Sequence, residues 1–321
     1  MRELHLIVPG LSAWRDSPHS EPTPMPGLGR LLSRGRFEGG ETSLADALCQ
    51  AFAVARQEDS PLAPITATYD GLNANVGYWL RADPVHLRVG MRGMTLLDAE
   101  HVGLSMAESE ALAASLKPLF EEAGWRLLAP TAARWYGHPS HAIKLRTTPL
   151  DKVATRHVNS ALPVGQSAAR VMRLVNDAQI ILHDHAVNQA RERRGQAPIN
   201  SLWLWGGGER AKSGRRFQRV LAWQTEALAL ARLSGSPSAP CPARLRDAPR
   251  AASTLLVLPE FPADASAADA ARLDADWFMP LLRGLRIGRY RRATVTLTGP
   301  EGASVSLGML DAWKFWGETV K

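Results

Sequence analysis

The sequence predicts an α/β protein in which a parallel-sheet core is interrupted by an inserted α+β domain with a mixed sheet. Strand–helix–strand patterns stand near both ends of the chain, and such alternation is typical of parallel sheets covered by helices. Between them lies a block in which helices mix with several short strands. Residues 180–208 join the block to the second half, and they predict a helix, a tight stop, a buried strand and a glycine loop, which is half of an α/β unit.

The first part of the core begins with a short apolar run, His5–Val8, that predicts a strand. Ser43–Arg56 predicts an amphipathic helix because its apolar residues recur at helical spacing. Thr42 or Ser43 suits the N-cap of that helix. Pro64–Thr68 is predicted to be a second strand. We therefore expect residues 1–76 to start the core.

Residues 77–195 are predicted to form the insert. Strand-like residues stand on both sides of Asp83–Pro84, which predicts a break or a bulge there, since proline cannot donate to a ladder. Ser105–Phe120 is predicted to be a helix because Ser105 and Glu108 form a capping-box pattern. The remaining strands of the mixed sheet are predicted at Met94–Leu97, Trp125–Leu128, Ala133–Tyr136 and His141–Leu145.

The stretch before residue 208 predicts one long helix followed by a strand. Apolar residues recur from Val171 to Leu182 at three- and four-residue spacing. Arginines at 191, 193 and 194 suit the negative end of a helix, and Gly195 suits a left-handed cap after it. Ser201–Trp205 is wholly apolar, which is typical of a strand buried on both faces of a parallel sheet.

The rest of the core is expected at residues 196–321. Phe217–Leu233 predicts an amphipathic helix, and a Ser-, Pro- and Ala-rich linker follows to residue 250. The elements predicted after the linker are a strand at Thr254–Leu258, a helix at Ala265–Leu285, a strand at Ala293–Thr298, an edge strand at Ser304–Leu307 and a helical turn at Met309–Trp316.

Composition limits the class of protein more than it names a function. The chain has 321 residues, two distant cysteines and a net charge of +7 carried mostly by arginine. No apolar run is long enough for a membrane span and the N-terminus lacks the pattern of a signal peptide, so a cytoplasmic protein is expected. The positive charge indicates either an anionic partner or a coding bias toward arginine; no nucleic-acid motif is present, and we expect no nucleic acid and no membrane as partner.

The stretch LHDHAVNQARERRGQAPINSLWLWGGG resembles the HPVN…(R/K)xxGxxPAN…WLWGxG segment of the archaeal-type cofactor-independent phosphoglycerate mutases, metalloenzymes of the alkaline phosphatase superfamily. Along nearly its whole length the chain is similar to a group of proteobacterial proteins described as RpfE-type regulatory proteins or predicted phosphoglycerate mutases. The resemblance to the mutases is good from about Tyr78 to Gly208 and poor at both ends. It implies an alkaline-phosphatase-like core around the insert.

The same resemblance implies a two-metal site of about seven ligands, and the chain departs from it. The first strand ends in Val8, Pro9 and Gly10 where that superfamily has a metal-binding aspartate. Around the expected nucleophile only Thr66, Thr68 and Asn75 are available, without the family's motif. No histidine follows His185, so the family's C-terminal ligands are missing. We expect no catalytic residue, no metal ligand and no cofactor.

Two groups of residues are candidates for a binding role. His183 and His185 are two residues apart, which would place them on different sides of a helix and not around one metal ion. A hydrogen-bonded role at the domain junction is expected for the larger set His183, Asp184, His185, Asn188, Asn200, Trp203, Trp205 and Gly206.

Arg81 and Arg146 are the second group. Arg81 stands where the mutases have the arginine of their FRCN motif, and Arg146 opens a turn that resembles their SDTDPH turn. Two guanidiniums beside a cleft would suit a phosphorylated or carboxylate ligand. The alternative is that each arginine makes an ordinary surface ion pair.

Three functions remain open at this point. The first is a catalytically degenerate relative of the mutases that serves as a binding or regulatory protein, with a small ligand or a protein partner. The second is an active mutase or phosphatase with rearranged ligands, and the third is a different hydrolase on the same scaffold. The missing aspartate and histidines favour the first, because fold resemblance by itself does not carry a reaction.

Overall fold

The computed structural model describes residues 2–15, 24–39, 42–90, 93–153, 161–299 and 302–314. Its strands are β1 (Glu3–Val8), β2 (Arg36–Gly39), β3 (Trp79–Gly90), β4 (Gly93–Asp98), β5 (Trp125–Leu128), β6 (Tyr136–Pro139), β7 (Ser201–Gly208), β8 (Arg219–Leu221), β9 (Ser238–Ala239), β10 (Ser253–Val257), β11 (Arg292–Leu297) and β12 (Ala303–Gly308).

Its α-helices are α1 (Leu11–Arg15), α2 (Pro26–Arg34), α3 (Leu44–Ala51), α4 (Leu62–Tyr69), α5 (Met106–Glu122), α6 (Leu150–Val153), α7 (Ala168–His183), α8 (Ala186–Arg193), α9 (Thr225–Ser234), α10 (Ala267–Leu273) and α11 (Met279–Arg286). Within these residues no helix is long and apolar enough to cross a membrane.

By the contacts between residues the chain divides into two units, Met1–Ala53 with Ser213–Lys321, and Val54–Lys212. Residues 54–76 and 196–212 therefore group with the second unit. The boundaries expected from the sequence, at residues 76 and 195, stay a prediction about which segments fold together.

The first unit is built on a seven-stranded sheet with the order β2-β12-β11-β1-β10-β8-β9. From β11 to β9 the strands run parallel, and β12 and β2 are antiparallel additions. The centre of the sheet is apolar: Leu6, Leu256 and Val295 are fully buried. The parallel core predicted from the apolar runs at both ends of the chain is confirmed. Ser304–Leu307 was expected at the sheet edge, but β2 pairs outside it.

A long helical run covers this sheet, as the sequence predicts for Ala265–Leu285. A π-helical turn, Asp274–Phe278, joins α10 to α11, and Ser266 caps the start with a capping box. Asp274 lies in this turn and is buried. Its carboxylate accepts the backbone N–H groups of Gly27 (3.0 Å) and Leu28 (2.8 Å). A buried side chain from the second half of the chain thus satisfies the free donors that begin α2.

The second unit has a five-stranded antiparallel sheet. Its order is β4-β3-β6-β5, and β7 pairs with the other side of β3. Helices α5 and α7 contribute Leu112, Leu116, Val171 and Leu182 to one apolar core with Leu80. The Ser105–Glu108 capping box predicted for α5 is present.

The strand at Trp203 is the main correction to the expected topology. We expected it in one sheet with His5–Val8 and Thr254–Leu258, but β7 pairs antiparallel with β3 in the second unit. Every residue of β7 is buried, and both α4 and α7 pack on it. A continuous apolar run shows that both faces of a strand are covered, and it does not show which sheet the strand joins.

Pro64–Thr68 is helical and not a strand, as part of α4. The β-branched residues there favour strand only weakly, and tertiary packing overrides such preferences. Thr66 and Thr68 donate their hydroxyls to carbonyls one turn back, at Leu62 and Pro64, both at 2.9 Å. They satisfy the helix backbone locally, so the threonines expected near a nucleophile position are helix residues.

The predicted break at Asp83–Pro84 is also wrong, since β3 continues through it. Pro84 stands opposite Leu202 of β7, and on its other side it falls between the residues paired with β6 and those paired with β4. A missing N–H costs no ladder bond at such a position. The strand predicted at Ala133–Tyr136 begins only at Tyr136, and the strand predicted at His141–Leu145 is wrong, since these residues belong to no strand.

The helix predicted to run to Arg194 is two helices. α7 ends at His183, and His185 begins α8 by accepting the N–H of Val187 on its Nδ1 (3.2 Å). Gly195 follows α8 with a φ of 70°, as expected for a left-handed residue at a helix end. The helix predicted at Phe217–Leu233 contains strand β8 before α9 begins at Thr225, because its first apolar residues pair with β10.

Candidate functional site

The carboxyl edge of the parallel sheet is the first place to look for a site, since open α/β sheets bind ligands where the strands end. In this chain the segments leaving β1, β10 and β11 bond to one another. Leu258 donates to the carbonyl of Ile7 at 3.0 Å, and Phe261 donates to that of Pro9 at 2.9 Å. Thr298 donates to the carbonyl of Val8 at 3.3 Å. The backbone beyond the strand ends is thus occupied by internal hydrogen bonds.

Close packing around Gly10 also fills the space at the ends of these strands. Gly10 has a φ of 79°, and a Cβ at this residue would lie 2.4 Å from the carbonyl oxygen of Phe261. The Phe261 ring packs edge-on against Trp14 at 5.4 Å, and the Trp14 indole donates to the carbonyl of Ala265. Ser12 donates to the carbonyl of Thr298 at 2.9 Å. In the part of this edge that the structure describes, apolar rings and backbone fill the space next to the strand ends, where a two-metal site would need several carboxylates and imidazoles.

No group of three or more His, Cys, Asp or Glu side chains that could hold a metal ion occurs among the residues that the structure describes. Glu260 lies near the closed edge and is exposed. Residues 300–301, in the segment that stands where the mutases have a further ligand motif, lie outside the described residues.

A second group of functional types is buried in the second unit, around Asp83. Arg81 bonds to this carboxylate through Nε at 2.9 Å and through its terminal nitrogen at 2.8 Å. Trp205 donates its indole N–H to the same carboxylate at 2.7 Å, and the Arg81 guanidinium lies over the Trp205 ring at 4.9 Å. Burial raises the pKa of Asp83, while the Arg81 charge and these hydrogen bonds oppose the rise. The pair is an internal connection between β3 and β7.

Asp70 forms a neighbouring pair at the end of α4. Arg134 binds its carboxylate with two nitrogens, at 2.9 and 2.7 Å, and the Tyr136 hydroxyl donates at 2.6 Å. Burial raises the pKa of Asp70, but the hydrogen bonds and the charge of Arg134 outweigh burial and hold it below its ordinary value. Burial also raises the pKa of Tyr136.

Asp59 anchors the segment before α6 to the glycines of β7. Its carboxylate accepts the N–H of Thr147 at 3.0 Å and also the Thr147 hydroxyl. Thr147 in turn accepts the N–H of Gly206 at 3.2 Å. Gly207 packs against Tyr78, whose hydroxyl would lie 2.2 Å from a Cβ at Gly207. The glycines predicted to form a loop are strand residues that allow this close packing.

The structure does not join Arg81 and Arg146 in one cavity among those it describes. Arg81 is 3% exposed and held by Asp83, whereas Arg146 is exposed and pairs through its backbone with Val164. A cavity of about 220 Å³ under α7 and one of about 420 Å³ beside β6 are lined by neither arginine. Ligand binding by these two arginines therefore stays a prediction.

The residues expected at a junction have diverse local roles within the second unit. His183 and Asp184 are exposed and 4.0 Å apart, and His185 caps α8. Asn188 donates to the carbonyls of Leu182 and Ile199, both at 2.7 Å.

Asn200 bonds to both backbone groups of Leu87, at 2.7 and 2.8 Å. Trp203 donates to the carbonyl of Thr148 at 2.9 Å. Asn188, Asn200 and Trp203 thus hold backbone in place, and a role at a domain junction stays a prediction.

Sequence reasoning missed several groups that the fold brings together. Asp59, Asp70 and Asp83 lie far in sequence from most of their partners, so no local motif marks them. Arg126 and His138 stand opposite each other on β5 and β6. The alternation of β5, with Trp125 and Leu127 buried and Arg126 exposed, is the signal that could have indicated a polar face there.

Comparison with known proteins gives short, partial similarities. A stretch of 65 residues is 32% identical to a probable 2,3-bisphosphoglycerate-independent phosphoglycerate mutase of Geobacter sulfurreducens, and it covers 20% of this chain and 16% of that protein. A stretch of 73 residues is 33% identical to a 2,3-bisphosphoglycerate-independent phosphoglycerate mutase of Methanothrix thermoacetophila, with coverage of 23% and 18%. The matched stretches thus span under a fifth of these mutases. No model of a known protein family matches the chain.

Two solved structures are similar over most of the chain. One, from Pyrococcus horikoshii, has 13% identity and a TM-score of 0.49, covering 96% of this chain and 87% of its own. The other is the cofactor-independent phosphoglycerate mutase from Thermoplasma acidophilum, with 16% identity, a TM-score of 0.42 and coverage of 96% and 90%. Because both identities are under 25% and both TM-scores are under 0.5, we assign the fold from the strand pairing observed in this chain. The chain is an α/β protein with a phosphoglycerate-mutase-like stretch.

Proposed function

We propose that this protein is a catalytically degenerate relative of the cofactor-independent phosphoglycerate mutases that acts as a binding or regulatory protein. The observation that carries this proposal is the closed carboxyl edge of the parallel sheet. Gly10 packs against the Phe261 carbonyl there, and Trp14 and Phe261 occupy the space beyond it. A two-metal mechanism needs several anionic or imidazole ligands that converge from strand ends. Among the residues that the structure describes, this edge presents backbone, apolar rings and the exposed carboxylate of Glu260.

The sequence supports the same proposal independently. The first strand ends without an aspartate, and no histidine follows His185. A regulatory role is also what the resemblance of the sequence to RpfE-type proteins implies, and a small phosphorylated or carboxylate ligand or a protein partner would be its target. A mutase or phosphatase with rearranged ligands is the alternative, and among the described residues Glu260 is a carboxylate near the closed edge that such an enzyme could use.

Turnover tests the proposal directly. Purified protein is incubated with 3-phosphoglycerate and Mn²⁺, Mg²⁺ or Co²⁺, formation of 2-phosphoglycerate is measured, and the metal content of the protein is determined in parallel. We expect no conversion above a mock purification, while an active mutase serves as positive control. Conversion that is lost in Glu260→Gln would overturn the proposal and support the rearranged enzyme. Conversion that persists in Glu260→Gln would overturn the proposal as well, and it would show that other residues bind the metal ions.

A further inference from the structure

The second unit contains a polar cavity that is separate from the buried ion pairs and from the edge of the parallel sheet. Its volume is about 420 Å³, within the range of pockets that hold small molecules. Arg126 from β5, His138 from β6 and Glu209, just after β7, contribute to its wall. Two neighbouring strands and the residue that follows β7 thus bring a guanidinium, an imidazole and a carboxylate to one cavity.

The backbone before β3 fixes the His138 ring. Its Nδ1 lies 2.9 Å from the carbonyl oxygen of Tyr78, and because a carbonyl only accepts, Nδ1 carries the proton. The ring stacks on Trp79 with centroids 4.5 Å apart. Gly77 makes room for it, since a Cβ there would lie 2.5 Å from His138 Cε1. The contact fixes the orientation of the ring, and an imidazole whose Nδ1 carries the single proton offers Nε2 as an acceptor.

Arg126 is the cationic group beside this acceptor. It stands opposite His138 in the antiparallel register of β5 and β6, so both side chains project from the same face at neighbouring positions. Arg126 is exposed, and its guanidinium has no partner among the residues that the structure describes. A free guanidinium at a cavity wall suits a carboxylate or phosphate, which it can bind through paired hydrogen bonds.

Glu209 limits which anions fit. Its backbone N–H donates to Gln57 Oε1 at 2.9 Å, and its carbonyl accepts from Gln57 Nε2 at 3.1 Å. Its side chain is exposed at the cavity. A carboxylate repels a bare anion and accepts hydrogen bonds from hydroxyl groups. His141 lies at the same cavity and is exposed. The cavity therefore combines one anion-binding group with two acceptors.

We propose that this cavity binds a small hydroxy acid, meaning a carboxylate or phosphate ester that also carries a free hydroxyl. Arg126 binds the acid group and His138 Nε2 accepts the ligand hydroxyl. Glu209 accepts from a second hydroxyl where the ligand has one, as D-glycerate does. The site goes beyond the proposed function and does not depend on the state of the parallel-sheet edge, so binding here and turnover there are separate measurements.

The test is binding of defined probes in metal-free buffer, measured by calorimetry and by amide NMR shifts. D-Glycerate, 3-phosphoglycerate, inorganic phosphate and glycerol are compared. We expect saturable binding of the two hydroxy acids at millimolar concentration or below, weaker binding of phosphate and none of glycerol. Arg126→Ala should weaken hydroxy-acid binding at least tenfold. Arg88→Ala is the matched control, because Arg88 is an exposed strand arginine that does not line the cavity, and it should leave binding unchanged.

His138→Asn tests the hydroxyl contact, since the Asn amide can replace the Nδ1–H donor but leaves no group at Nε2. It should weaken glycerate at least fivefold and change phosphate little. If this variant does not fold, Arg126→Ala still decides. The proposal is overturned if neither glycerate nor 3-phosphoglycerate shows saturable binding at concentrations up to about 10 mM. It is also overturned if Arg126→Ala binds them with the same affinity as wild type. Equal affinity for phosphate and glycerate would overturn the hydroxy-acid assignment.

Discussion

Gly10 is the residue at which the end of β1 meets the segment that follows β10. Its φ is positive, a backbone conformation that residues with a side chain rarely adopt. A Cβ at this residue would lie 2.4 Å from the carbonyl oxygen of Phe261. The closure of the sheet edge therefore depends on a residue without a side chain.

Gly10→Ala should lower the free energy of unfolding by about 1–3 kcal/mol, because it adds both backbone strain and a close contact. Urea unfolding followed by tryptophan fluorescence measures the change, and Trp14 reports on the site itself. The matched control is Gly29→Ala, an exposed helical position with open space around its Cβ, which should stabilise by about 0.5–1 kcal/mol. Equal effects of the two substitutions would contradict the packing argument at Gly10.

At the scale of elements, buried charges connect α4 and the strands of the second unit. Asp70 follows the last residue of α4, and its carboxylate holds Arg134 and Tyr136 at the start of β6. The Arg81–Asp83 pair similarly connects β3 with Trp205 of β7. Breaking such a pair leaves a buried charge without a partner, which costs more than the loss of a surface pair.

Asp70 should make the stability of the protein depend on pH. Its pKa is lowered in the folded state, so its contribution is fully present above its ordinary pKa of about 3.9 and is lost as pH falls through the lower folded value. Urea unfolding between pH 3 and pH 7 should show a decline below about pH 4. Asp70→Asn should be less stable at pH 7 and show a flatter decline, with Tyr136→Phe in between. Parallel profiles of wild type and Asp70→Asn would show that another group causes the decline.

At the scale of the whole molecule, the second unit is a continuous segment with its own sheet and core. Of the strands that pair with β3, β7 is the longest. Helix α4 packs on β7 and precedes the predicted insert in the sequence. Residues 77–195, the insert expected from the sequence, lack both elements. Without β7, the strand β3 would lose a ladder and the core would lose Leu202 and Leu204.

We therefore expect a fragment of residues 54–212 to fold by itself and a fragment of residues 77–195 not to fold. Dispersed amide NMR signals and a near-ultraviolet circular dichroism band from buried tryptophans measure folding. The shorter fragment should give collapsed signals and no such band. A dispersed spectrum from residues 77–195 would instead support the boundaries expected from the sequence.

Local patterns in the sequence were sufficient wherever neighbours along the chain supply the interactions. Ser105 caps its helix as predicted, and of the two candidates Thr42 and Ser43 it is Ser43 that caps α3, since a cap bonds to backbone three residues away. The parallel core was also predicted correctly from β1, β10 and β11, whose apolar runs stand in strand–helix–strand order. The missing aspartate after β1 and the lack of histidine after His185 are properties of the sequence alone, and they led to the proposal of lost catalysis.

Only the tertiary structure decided the features that depend on distant partners. The apolar run of β7 fits either sheet, and the choice of β3 follows from pairing across more than a hundred residues. α4 is a helix although its threonines and isoleucine favour a strand weakly, because it packs on β7. Arg81 looks like a ligand-binding arginine in sequence, but Asp83 and Trp205 surround it in the fold. Periodicity and caps record short-range interactions, whereas sheet partners and buried ion pairs are fixed by the contacts that form when the whole chain packs.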